Sequence, residues 1–129
     1  MFSKSISRAA LAAGALLAAT GLAVAAPDVT TVESDLGPVL ADSEGMVLYT
    51  FRNDEEGVSN CYDQCAVNWP PFFAEDGAMA EGAYTLVERT DGTVMWAKDG
   101  WPLYYWINDT EPGMTSGDGV GGVWDVARP

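Results

Sequence analysis

The sequence contains no histidine. That removes the commonest general base near neutral pH, the usual zinc and copper ligand, and every Ser-His-Asp or Cys-His arrangement. Covalent haem attachment through C-x-x-C-H goes with it. Basic residues are scarce: six Lys and Arg stand against 19 Asp and Glu, a formal net charge of −13. Lys4 and Arg8 fall in the first 25 residues while all 19 acids lie beyond them, so the remainder carries −15. Nucleic acid is therefore excluded as a partner, because neutralising phosphates takes clustered Lys and Arg. A bare anionic membrane surface is disfavoured for the same reason. Solubility, a basic or envelope protein partner, and divalent-cation capture are the readings that the charge leaves.

Long apolar runs are absent beyond residue 26. Residues 1–25 are expected to be a signal peptide: Lys4 and Arg8 precede an Ala/Leu/Gly run ending at Ala23-Val24-Ala25, an A-x-A cleavage site. The alternative, an uncleaved anchor, fits the small-residue ending less well. Cleavage leaves one small domain, residues 26–129, with no transmembrane segment, in the bacterial cell envelope, secreted or periplasmic. No cysteine sits near the cleavage site, so no lipid anchor is expected.

Cysteine is limited to Cys61 and Cys65, and in an oxidising compartment a disulfide is the expected state. It closes a five-residue loop, which the chain-entropy relation values at roughly 2 kcal/mol. The C-x-x-x-C spacing, with Asp63 between the cysteines, lacks the features that lower the thiol pKa of a redox pair.

What the sequence does have is an internal repeat. Shifted by 55 residues, Tyr49-x-Phe51-x-x-Asp54 falls on Tyr104-x-Trp106-x-x-Asp109, and Trp69 falls on Trp124. Residues 31–74 and 86–129 share twelve identities in 44 ungapped pairs, where chance gives roughly two or three. Two copies of one supersecondary unit follow, about 30–75 and 85–129, each too small to bury its own apolar face. Each copy reads as a hairpin (strands 30–33 and 39–41; 85–88 and 94–97) and then a motif strand. In the first copy Val47, Tyr49 and Phe51 share one face. In the second, Leu103, Tyr105 and Ile107 make the opposite face apolar too, so that strand is expected to be covered on both sides and its twin to be half exposed. An acidic Asn-Asp turn follows in each. Short helices are conceivable only around 63–68 and 74–82. The expected fold is mainly β, a small single domain of two pseudo-symmetric repeats packed as a sandwich or small closed barrel.

These motifs, with Cys61-x-x-x-Cys65-Ala66, Trp69-Pro70-Pro71, Gly100-x-Pro102-Leu103-Tyr104 and Gly117-Asp118-Gly119-x-Gly121-Gly122-x-Trp124, resemble a bacterial family of predicted lipoproteins with a Y-x-[FWY]-x-x-D motif, also described as a secreted repeat of unknown function. The resemblance covers residues 30–129 and brings no catalytic residues.

The motif residues Tyr49, Phe51, Asp54, Tyr104, Trp106 and Asp109, with Trp69 and Trp124, are expected to be structural, the Asp side chains capping turns. The rival role is calcium binding through Asp54, Glu55 and Glu56, or Asp109, Glu111 and Asp118, although neither set has the D-x-D-x-D-G spacing. Met46, Met79, Met95 and Met114 are too scattered for a Cu(I) site. Gly117 to Gly122 matches G-x-G-x-x-G, but too few residues follow for a βαβ unit. Its glycines instead allow a tight loop that delivers Trp124 to the core. Exposed aromatics around 69–73 and Trp101 could bind a glycan or a protein. The function expected is a non-catalytic binding or structural module of unknown ligand and no cofactor; the alternative is a calcium- or copper-binding, or redox, accessory protein of the envelope.

Overall fold

A computed structural model describes residues 27–129; the expected signal peptide lies outside them. Strands β1 (Val29–Ser34) and β2 (Gly37–Asp42) form an antiparallel hairpin, and β4 (Tyr84–Glu88) and β5 (Val94–Lys98) form its counterpart. Counted from the innermost pairs, Ser34 with Gly37 and Arg89 with Thr93, the second hairpin loop is one residue longer. Asp91 closes it by accepting from the Thr93 amide at 3.0 Å and hydroxyl at 2.6 Å. As a result β2 buries Val39, Leu40 and Ala41 while β5 buries Met95, Trp96 and Ala97. The 55-residue offset thus becomes 56 in these strands, and the ungapped match of Val39 to Val94 is one residue out in space. The next turn, shorter in the second copy, restores 55 before the motif.

The motif strand β3 (Tyr49–Phe51) pairs with β7 (Trp124–Val126), the end of the other repeat. Its twin segment pairs with the end of the first: Tyr104 bridges Pro71, and the amides of Tyr105 and Ile107 donate to the carbonyls of Pro70 (2.8 Å) and Asn68 (3.0 Å). Pro70 and Pro71 have no N–H to return, so this pairing stays a bridge where β3 and β7 form a ladder. The two motif segments meet antiparallel at the pseudo-twofold axis, Tyr49 and Tyr104 exchanging amide-to-carbonyl bonds of 2.8 and 2.9 Å.

The exchanged tails also complete two matching backbone triangles. Leu40 donates to Ala127, Ala127 to Leu48 and Leu48 to Leu40; Trp96 donates to Phe72, Phe72 to Leu103 and Leu103 to Trp96. Each triangle contains one residue from the opposite repeat. The domain is therefore mainly β and built of two repeats, as expected, but its sheets are small, β1-β2, β3-β7 and β4-β5-β6 with β6 at Trp101–Pro102, and do not close into a barrel.

Helix α1 (Gln64–Asn68) lies in the first expected place. Residues 74–82 form turns instead of the second. The expected contrast between motif strands is also corrected. Leu48 and Leu103 are both fully buried, and Ile107 is 51% exposed, because the tail of the opposite repeat covers the same face of each strand. Among the described residues no helix is long and apolar enough to cross a membrane.

Candidate functional site

The motif side chains converge on the twofold axis. Tyr49 and Tyr104 are fully buried, and each tyrosine donates its hydroxyl to the aspartate of the other repeat: Tyr49 Oη to Asp109 Oδ2 at 2.5 Å, Tyr104 Oη to Asp54 Oδ2 at 2.7 Å. The second oxygen of each carboxylate holds its own acidic turn. Asp54 Oδ1 accepts from the Asn60 amide at 2.7 Å, and Asp109 Oδ1 from the Ser116 amide at 3.0 Å and hydroxyl at 2.6 Å. Both aspartates are buried, at 4% and 7% exposure. The turn-capping role read from the sequence accounts for only one oxygen of each; the other ties the two repeats together.

The aromatic residues follow the same exchange. Trp69 and Trp124, one from each repeat, stack at 3.7 Å between centroids with planes 4° apart. Phe51 stacks on Trp124 at 4.2 Å and Trp106 on Trp69 at 4.0 Å. The column runs Phe51, Trp124, Trp69, Trp106, alternating between repeats. Tyr49 and Tyr104 meet the central pair edge-on at 5.4 and 5.2 Å, the favoured geometry for ring quadrupoles. Gly117 passes so close that a Cβ there would lie 2.9 Å from both Trp69 and Tyr49, and its amide donates to Tyr49 Oη at 3.1 Å. Trp106, at the end of the column, is only partly buried.

On the Tyr104–Asp54 side the network extends further, through residues of both repeats. Ser59 Oγ lies 2.6 Å from Tyr104 Oη and accepts from Arg89 Nη1 at 2.8 Å, while Arg89 Nη2 donates to the Cys61 carbonyl at 2.7 Å. Arg89 is 4% exposed, and its guanidinium stacks on the Tyr62 ring, 4.2 Å from its centroid. Its Nε is buried without a partner. Cys61 and Cys65 form the expected disulfide, fixing the turn that presents this carbonyl. Sequence reasoning passed over Arg89 and Ser59. The signal was present for Arg89: period-2 alternation after Val87 puts it on the inward face.

Burial dominates the electrostatics. It pushes the Asp54 carboxyl up to about 6, against the opposing pull of the Asn60 amide, the Tyr104 hydroxyl and the Arg89 charge. Both motif tyrosines are raised above the ordinary phenol range, first by burial and then by their carboxylate partners. Neither is a ready nucleophile or base. The two proposed calcium sets are not assembled: Asp54 and Asp109 each face a tyrosine, Asp118 Oδ1 accepts from the Val126 amide at 3.0 Å, and no three acidic or cysteine side chains converge among the described residues.

A family model described as a secreted repeat of unknown function matches residues 30–72 and 85–128. No curated protein and no solved structure matches the chain.

Proposed function

The chain belongs to the secreted repeats of unknown function, and from that premise we propose that it is a non-catalytic binding module in which the two motifs build the frame and leave recognition to the surface. The observation that carries this reading is the crossed pair of Tyr–Asp contacts. Both acids of the repeated motif are buried and hydrogen-bonded to the opposite repeat, so neither is offered to a substrate. Paired-carboxylate hydrolysis needs two acids flanking an accessible bond. The leader features of residues 1–25 and the Cys61–Cys65 disulfide support export across the bacterial inner membrane, to the periplasm or beyond, with no lipid anchor.

Steady-state assays on envelope polysaccharides and peptides test this reading. We expect no turnover. Turnover that disappears in Asp54→Asn or Asp109→Asn, with the variant still folded by circular dichroism, would overturn it.

A further inference from the structure

The twofold axis gives every surface position a natural control, and one cleft departs from its twin by gaining three cations, two of them paired with carboxylates at its edge, Asp99 and Asp125. Of the four basic residues beyond the leader, Arg52, Lys98 and Arg128 all line one open cleft of about 520 Å³, together with Thr50, Trp101 and Leu103. At the twin positions stand Ile107, Asp42 and Phe73. The twin backbone thus carries apolar or acidic side chains at all three places.

The cleft exists because bulk is missing on this side. Where Thr50 and Ala127 line it, the twin has Tyr105 and Phe72, whose rings pack edge-to-face at 5.7 Å while the Tyr105 hydroxyl donates to Asp42. Its volume falls within the roughly 300–1,000 Å³ of small-molecule sites.

The cations are unequally compensated. Arg52 is paired with Asp125 through two 2.8 Å bonds, and Lys98 reaches Asp99 at 3.3 Å. Arg128 is held by neutral groups: its Nη1 donates to the carbonyls of Leu36 at 2.6 Å and Pro38 at 3.1 Å, and no carboxylate among the described residues pairs with it. Asp99 and Gly100 both take positive φ, 53° and 88°, in the tight turn that sets Lys98 directly opposite Trp101. Trp101, 37% exposed, and Lys98 thus line the cleft from facing positions of neighbouring strands. The backbone around the cleft has little left to offer an extended peptide. Thr50 and Val126 lie in the β3-β7 ladder, and Pro102 beside Trp101 has no N–H.

We propose that this cleft binds an anionic sugar unit, a pyranose ring laid on Trp101 with its carboxylate held by Arg128 and Lys98. This rests on the reading of the protein as a non-catalytic binding module and names its ligand class. The acidic surface elsewhere repels polyanions at large, so an anion is retained only where it can seat.

The test is a titration of the purified protein with a short oligogalacturonate, read by indole fluorescence and calorimetry. The matched neutral oligosaccharide, oligoglutamate and inorganic sulfate serve as competitors. We expect saturable binding of the uronate alone, weakened at least roughly tenfold by Trp101→Ala and by Arg128→Gln, as for an anchor residue. Thr50→Tyr, which copies the twin and leaves the cations in place, should abolish binding without lowering the melting temperature. Undiminished binding in Thr50→Tyr, equal affinity for the neutral sugar, preference for the peptide or equal competition by sulfate would each overturn the assignment. So would no binding of any probe, and that result would leave the non-catalytic reading standing. Release of new reducing ends from the uronate would instead defeat the non-catalytic reading itself.

Discussion

Tyr104→Phe deletes one oxygen and tests the crossed-repeat arrangement directly. The hydroxyl donates to Asp54 Oδ2 at 2.7 Å and lies 2.6 Å from Ser59 Oγ. A hydrogen bond to a charged group contributes about 1.5–3 kcal/mol. Asp54 is buried and would keep the Asn60 amide at its other oxygen, so we expect a loss of about 2–3 kcal/mol at pH 7.5. For a domain near 100 residues that is a fall in Tm of about 10–20 °C.

The pH dependence supplies a second, independent sign. Burial raises the Asp54 carboxyl from 3.8 to about 6, so between those values the native state binds more protons than the unfolded chain. Stability from this group is therefore complete below about pH 4 and is lost as pH rises through 6, by about 3 kcal/mol at 1.36 kcal/mol per pH unit. Tyr104→Phe removes a donor to the charged form. Its penalty should be full at pH 7.5 and shrink to about 1 kcal/mol at pH 4.5, where Asp54 is protonated. Asp54→Asn should flatten the pH 4–6 slope relative to the parent. Urea unfolding followed by tryptophan fluorescence at several pH values, on both variants and the double variant, measures all of this. A Tyr104→Phe penalty below about 0.5 kcal/mol at pH 7.5, or an undiminished penalty in the Asp54→Asn background, would refute the pairing.

Three further outcomes follow from the same geometry. Gly117→Ala places a methyl group 2.9 Å from two ring systems that have no flexible end to yield, so a loss of about 1–3 kcal/mol is expected in the same urea assay. Reducing the Cys61–Cys65 bridge should cost roughly 2 kcal/mol from its five-residue loop and should loosen the Arg89 contact with the Cys61 carbonyl, seen as faster amide exchange around residues 59–62. Residues 27–79 and 80–129 expressed separately should each be unfolded by circular dichroism and refold when mixed; a folded monomeric half would contradict the exchange of tails.

Much of the frame was legible in the sequence because it rests on local chemistry. The hairpins, the Asn-Asp turns, the disulfide, α1 and the positive-φ glycines before Trp124 all follow from residues within a few positions of one another. The exchange was not legible. Spacing places Asp54 five residues after Tyr49, which suggests a contact within one repeat; nothing local reveals that Tyr104, 50 residues away, is its partner. The one-residue slip in β5 escaped for a related reason. An ungapped comparison rewards Val39 against Val94, whereas cross-strand register and burial match Val39 to Met95. Ile107 departs from the alternation pattern: its backbone pairs with Asn68 of the opposite tail, yet its side chain is 51% exposed, and periodicity alone does not show which face that tail covers.

The exchange also explains where difference between the copies can accumulate. Residues on the axis are constrained twice, since Tyr49, Tyr104, Trp69 and Trp124 each contact both repeats, and a change in one disturbs the fit of its twin. Away from the axis each surface is assembled from the motif end of one copy and the turn and tail of the other. Thr50 and Arg52 come from the first repeat, Lys98, Trp101 and Arg128 from the second. A substitution on either copy therefore alters one cleft and leaves its twin untouched. Duplication within a single chain permits this, whereas a symmetric homodimer of one repeat would carry every substitution to both faces. The cation-lined cleft and its aromatic-filled twin are the two outcomes of that freedom, and the difference between Thr50 and Tyr105 decides which side has room for a ligand.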